Sequence, residues 1–201
     1  MNTIAVILAG GASTRMGVDK ALLKIQNQTM IDRALQLLEQ TSVSQVVISR
    51  NDSSSGYIPD LIPHKGPLSG IHSAAMRFPN DNLLIIPVDL PLLNYSTIQT
   101  LIDQGNSSDN NVRYGKHNLP LFLHNSPLLR LKLDYTLRFT NCFSVNRLCS
   151  HFPLTEIKAK RQSSLFNANS PDEWRFAMQH FQPIDSPIFN EDSHESFKQK
   201  V

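Results

Sequence analysis

The sequence predicts a one-domain α/β fold in three layers, with a mostly parallel sheet carrying helices on both faces. Three observations lead there. TIAVIL at residues 3–8 is a nearly continuous apolar run rich in β-branched side chains, as expected of a strand buried on both faces. Strand-like runs then alternate with helix-like segments through the first half, the pattern of a parallel sheet with right-handed crossovers. The chain has 201 residues, 40% of them hydrophobic and 18% charged, enough apolar material for one sizeable core and too much for a disordered chain.

The elements follow in order. TMIDRALQLLEQ places Ile31, Ala34, Leu35 and Leu38 at helical spacing and is capped by Thr29. SQVVIS reads as a second strand, NDSSSGYIPD as turns, GPLSGIHSAAMRF as a helix and LLIIPVD as a third strand. STIQTLIDQ reads as a helix, RYGKHN as a turn leading into the strand LPLFLHN, and LLRLKLDYTLRF and CFSVNRLCSHF as helices. LTEIKA forms a short strand, and SPDEWRFAMQHF a last helix with Ser170 as N-cap and Pro171 at its first position. The domain is expected to span 1–181, and 182–201, without periodicity, to be a tail.

Composition excludes several functions. A net charge of +2 supplies no large basic surface, so neither nucleic acid nor a membrane is an expected partner. Cys142 and Cys149 do not have metal-clip spacing; in one helix they would share a face as small buried side chains. The seven histidines lack zinc-site spacing. Asp109 and Glu156 read as solvated charges. The N-terminus has no basic region before an apolar core and cleavage site, and no run approaches the roughly 18 apolar residues of a membrane span, so a cytoplasmic protein is expected.

The chemistry concentrates in GGASTRMGVDK, directly after the first apolar run. Ligands of open α/β sheets bind at the carboxyl ends of strands. Gly10 and Gly11 let the backbone approach an anion closely, and Arg15 and Lys20 add a planar fork and a point charge, which together suit a polyphosphate. The loop is not a Walker loop, since Arg15 and Met16 stand where its second glycine belongs, and Ala12 breaks a dinucleotide fingerprint. Asp89, at the end of the third strand, would face those phosphates and calls for a bridging cation such as Mg²⁺. Leu8, Ala9 and Gly10 offer peptide groups able to read a purine edge. GPLSG (Gly66–Gly70) opens a helix whose amides can contact an anion or ribose, and Asn167 and Asn169 either bind a ligand or hold the turn before the last helix.

LAGGASTRMGVDKALL closely resembles the loop of the molybdenum cofactor guanylyltransferases, within the Rossmann-like nucleotidyltransferases. PDLIPHKGPLSGI (59–71), IIPVDLPLL (85–93) and LFNANSPDEW (165–174) resemble that family's later motifs in the same order. The resemblance implies transfer of GMP from GTP to molybdenum-molybdopterin, with a nucleotide half over about 1–94 and an acceptor half over about 95–181. Arg15, Lys20 and Asp89 would carry catalysis. Leu8, Ala9, Gly10, Gly11, Lys20, Ser49, Asp60 and Asp89 would bind nucleotide, with Asp89 as the Mg²⁺ ligand. At the end of the second strand, the family's nucleotide-contacting asparagine aligns with Ser49, while Asn51 stands two residues on. A molybdoenzyme or its chaperone is an implied partner. The second half departs from the pattern: Leu119–Pro120 replaces a His-Pro pair, with His117 two residues earlier, and 140–144 lack an expected arginine. Two alternatives stay open: a related transferase with another nucleotide or acceptor, such as a cytidylyltransferase, and a non-catalytic GTP-binding paralogue that docks to a molybdoenzyme.

Overall fold

The computed structural model describes residues 1–10, 19–52 and 56–181. The chain begins with β1 (Thr3–Leu8), and after residues 11–18 a short 3₁₀ turn over Lys20–Leu22 leads into the hairpin of β2 (Lys24–Ile25) and β3 (Gln28–Thr29). Gln26 and Asn27 both have positive φ, the geometry of a two-residue hairpin turn that follows strand twist. Helix α1 (Met30–Glu39) starts on a reciprocal cap in which Thr29 accepts from the Asp32 amide and the Asp32 carboxylate accepts from Thr29. There follow β4 (Gln45–Ser49), β5 (Tyr57–Ile58), α2 (Pro67–Arg77), β6 (Asn82–Pro87), α3 (Tyr95–Asn106), β7 (Asn111–Tyr114), β8 (Leu121–Leu123), α4 (Pro127–Phe139), α5 (Val145–Cys149), β9 (Leu154–Ile157) and α6 (Pro171–Gln179).

Seven strands form one sheet in the order β5-β4-β1-β6-β8-β7-β9, and β8 pairs antiparallel with both of its neighbours, β6 and β7. The remaining pairs are parallel. Along β1, Ala5 and Ile7 pack against α1 and α3, while Ile4 and Val6 pack against α2, α4 and α5. Both faces are therefore apolar core, which is why TIAVIL does not alternate. The predicted three-layer architecture is the one observed.

Four local expectations change. Asn111–Tyr114, partly read as a turn, is strand β7, and LPLFLHN contracts to the three residues of β8. The helix read over CFSVNRLCSHF contracts to α5, so Cys142 lies outside it, half-buried, whereas Cys149 is buried. A side-chain cap from Ser144 to the Arg147 amide fixes that later start. Glu156 accepts from the buried Arg113 guanidinium at Nε and Nη2, so it is half of an ion pair rather than a solvated charge. Among the described residues no helix is long and apolar enough to cross a membrane.

Candidate active site

From β1 the chain moves outward to β4 and β5, then crosses back to β6 on the other side. The carboxyl end of β1 is thus where the winding direction reverses, the place where open α/β sheets bind ligands. Register aligns the strand ends there: Leu8 stands opposite Ser49 on one side and Pro87 on the other. The segments leaving these strands converge on a cleft of about 810 Å³.

Every described residue among those expected to bind nucleotide or catalyse lines this cleft: Leu8, Ala9, Gly10, Lys20, Ser49, Asp60 and Asp89. Gly11 and Arg15 lie outside the described residues. Peptide groups at the β1 end are already engaged: the Ala9 amide donates to Ser49 O at 3.0 Å, and the Val88 amide donates to Leu8 O at 3.4 Å.

Lys20 sits in the 3₁₀ turn, which Asp19 caps through the Ala21 amide. Its Nζ donates to Asn169 Oδ1 at 2.6 Å and lies 3.7 Å from Asp89 Oδ2. Asp89 is in the turn after β6, two residues beyond the strand's last residue rather than at its end. The buried Arg33 of α1 holds the following turn by donating to Pro91 O and Leu93 O, and burial lowers its pKa to about 10. Burial pushes the Asp89 carboxyl above its ordinary range, opposed by the Lys20 charge and by a hydrogen bond with the Asn167 side chain. Asp89 Oδ1 is buried without a hydrogen-bond partner.

Asn167 and Asn169 therefore hold Asp89 and Lys20 respectively, while Ser170 caps α6 and the Asn169 amide donates to Glu173. Asp60 is paired with Asn51: Asn51 Nδ2 donates to Asp60 Oδ2 at 2.6 Å, and the Asp60 amide donates to Asn51 Oδ1 at 2.7 Å. Asn51, Asp60 and Ser49 all line the cleft.

At Gly70 of α2, a Cβ would meet Ser49 Oγ at 2.2 Å and Leu8 Cδ2 at 2.8 Å, which explains the second glycine of GPLSG by close helix-to-strand packing. Gly66 has φ +62, ψ −149. The amides of this helix start offer less than expected, because Pro67 has none and the Ser69 amide donates to Gly66 O. Opposite, His64, His117, Asn118 and Leu119 line the cleft. Sequence reasoning noted the changed motif at Leu119 but did not place His64 or Asn118 in the site; both sit in turns that carry no periodic signal.

The cation test turns on Asp89. Among the described residues no three His, Cys, Asp or Glu side chains are grouped to hold an ion. Mg²⁺ does not need such a group, because one carboxylate with substrate phosphates and waters suffices. A buried carboxylate oxygen without a partner, in the cleft wall beside Lys20, fits that role.

The family model described as MobA-like NTP transferase domain matches residues 5–138. The chain belongs to this family. A probable molybdenum cofactor guanylyltransferase from Pelotomaculum thermopropionicum is 30% identical over 190 residues, covering 86% of this chain and 90% of that protein. A molybdenum cofactor guanylyltransferase from Xanthomonas euvesicatoria is 30% identical over 176 residues, covering 84% and 90%. The crystal structure of molybdopterin-guanine dinucleotide biosynthesis protein A from Archaeoglobus fulgidus has the same fold, with TM-score 0.72 at 18% identity over 88% of this chain and 97% of that one. This MobA-like chain is an enzyme of the nucleotidyltransferase class, and its matched region contains all of the converging elements from β1 to β8.

Proposed function

We propose that this enzyme transfers GMP from GTP to the terminal phosphate of molybdenum-bound molybdopterin, forming molybdopterin guanine dinucleotide and releasing pyrophosphate. The observation that carries the reading is the meeting of Lys20 and Asp89 at 3.7 Å in the same cleft that the β1 end, Asn51 and Asp60 line. Phosphate-binding and nucleoside-binding groups then share one wall. The relatives that bear the guanylyltransferase name support the choice of nucleotide and acceptor.

In this reading 1–94 hold the nucleotide, 95–181 face the acceptor, and the tail 182–201 lies outside the domain. The segment Leu8–Gly10, anchored through the Ala9 amide on Ser49 O, lies along the guanine, and Asp60, held by Asn51, accepts from a ribose hydroxyl. Gly11 and Arg15 belong to the phosphate cradle with Lys20. Asp89 would hold Mg²⁺ together with phosphate oxygens and water, and the ion supplies charge neutralisation at the polyphosphate. An acceptor phosphate oxygen attacks the α-phosphorus in line as the bond to pyrophosphate breaks. A phosphate monoester is already an adequate nucleophile at neutral pH, so the protein has to position and neutralise rather than supply a strong base. Lys20 and Arg15 meet the charge that develops on the leaving pyrophosphate. The setting is cytoplasmic, and a molybdoenzyme or its chaperone receives the product.

GTP labelled at the α-phosphate tests the reading. The label is expected in a pterin dinucleotide joined through a pyrophosphate bridge. Label recovered only as GTP, with GTP bound, would leave the chain a GTP-binding protein without transfer.

A further inference from the structure

Arg50, immediately after β4, plays no part in the readings above, yet its guanidinium makes three bonds. Nη1 donates to Ala9 O at 3.2 Å, Nη2 to Asp19 Oδ2 at 2.6 Å and Nε to Asp52 Oδ2 at 2.6 Å. Its amide donates to Ile58 O, which ties its backbone to β5. Its side chain is only 15% exposed, and it is not among the residues lining the cleft. Ala9 and Asp19 are the residues on either side of 10–18, the glycine-rich loop. One planar side chain therefore grips both ends of that loop from behind the cleft wall.

We propose that Arg50 is a positioning residue of the nucleotide site. It fixes the span between the peptide groups at the β1 end, which face the base, and Lys20, which faces the phosphates. The proposal rests on the nucleotidyl-transfer reading for what the site binds.

The physical case has three parts. Ala9 O accepts from Arg50 while the Ala9 amide donates to Ser49 O, so the two successive peptide groups that meet at the Ala9 Cα are each held. Asp19 accepts from Arg50 with Oδ2 and from the Ala21 amide with Oδ1, so the pull on Asp19 is passed to the turn that presents Lys20. A guanidinium matches this work because it directs several donors in fixed directions, whereas a lysine ammonium is a single point. Charge-assisted bonds of this kind hold Ala9 and Asp19 in place before the ligand arrives, so that less of the binding free energy is lost in fixing them.

The test uses the full chain with Arg50→Ala, Arg50→Lys, Asp19→Asn and the double variant Arg50→Ala/Asp19→Asn. A fluorescent GTP analogue with Mg²⁺ reports binding without turnover, and steady-state assays report the KM of GTP and of the acceptor separately. Arg50→Ala is expected to weaken analogue binding and raise the GTP KM by about tenfold, with the acceptor KM within about twofold. Arg50→Lys should recover little of this, and millimolar guanidinium should restore part of the binding in Arg50→Ala but none in Arg50→Lys. The double variant should bind no worse than the weaker single variant, because Arg50→Ala already removes the Arg50–Asp19 bond that Asp19→Asn disturbs. Should Arg50→Ala fail to fold, Asp19→Asn reads the same bond alone.

Analogue binding within twofold of wild type in both Arg50→Ala and Asp19→Asn overturns the proposal. So do equal rises in both KM values, or additive losses in the double variant. A wild-type protein that binds the analogue but never releases pyrophosphate overturns the transfer reading alone. Wild type that does not bind it overturns both.

Discussion

The Lys20 ammonium lies 3.7 Å from the Asp89 carboxylate, while burial raises the Asp89 pKa despite that neighbour. Desolvation thus outweighs the nearby charge. An ionised Asp89 is then a liability to the folded protein without its ligands and an asset once a cation is bound. Its folded pKa stands above the ordinary 3.8, so the destabilisation is full at neutral pH and is relieved as pH falls through the folded value. Asp89→Asn should accordingly raise the Tm of the ligand-free protein by a few degrees, corresponding to about 1 kcal/mol, while removing most turnover. Thermal melts with and without Mg·GTP check this, since the variant should also lose the stabilisation that wild type gains from the complex.

Lys20→Ala should lower kcat by about 10²- to 10³-fold, the usual loss when a preorganised donor to developing charge is removed. Asn169 fixes where Lys20 points through the 2.6 Å bond, so Asn169→Ala should lower kcat by a smaller factor, about tenfold. Rapid-quench measurement of the transfer step separates these effects from product release.

Asp60 and Asn51 exchange two hydrogen bonds, and either one alone would leave the other misdirected. Asp60→Ala should raise the GTP KM about tenfold with less effect on kcat, because a ribose contact acts equally in the ground and transition states. Comparing GTP with its 2′- and 3′-deoxy analogues on wild type and variant identifies the hydroxyl concerned: wild type should discriminate against the analogue lacking it, and Asp60→Ala should not.

Gly70 and Gly105 offer a matched pair of overpacking substitutions. A Cβ at Gly70 would strike Ser49 Oγ and Leu8 Cδ2 in the cleft wall, and one at Gly105 would strike the Phe122 ring at 2.3 Å within the core. Each alanine variant should lose about 1–3 kcal/mol of stability. Only Gly70→Ala should also raise the GTP KM, since only there does the neighbour that must move line the cleft. Denaturant titration beside steady-state kinetics tests the distinction.

His72 of α2 is buried, its ring nitrogens lack hydrogen-bond partners, and Nε2 lies 3.5 Å from Asp134 of α4, beside Arg138. Burial holds its pKa below the ordinary 6.5, with Asp134 opposing and Arg138 reinforcing the shift. The unfolded chain takes up the proton first, so this site's contribution is present above about pH 6.5 and is lost as pH falls below it. The Tm loss between pH 7.5 and 5.5 should be smaller in His72→Leu than in wild type by about 2–4 °C.

The first half of the chain was legible because local and global signals agree there. TIAVIL, QVVIS and LLIIP are buried on both faces, so each reads as a strand without help, and Thr29, like Ser170 later in the chain, announces a helix start through a side-chain cap. The β2–β3 hairpin was missed because Gln26 adopts positive φ without being glycine or asparagine. Strand β7 was missed because its Arg113 and Asn111 are buried polar residues, satisfied by Glu156, Asn146 and the His124 amide far away in sequence. In the site, motif order pointed to Lys20, Asp60 and Asp89, whereas Arg50 carried no local signal because its bonds to Ala9 and Asp19 cross 41 and 31 residues of sequence.

The most direct test of the central claim is pyrophosphate release from each of the four nucleoside triphosphates, with Mg²⁺ and molybdenum-loaded molybdopterin. Release from GTP alone, abolished by Asp89→Asn, is the predicted result. Release from CTP in preference to GTP, or from none of the four in a protein that binds GTP, would contradict it.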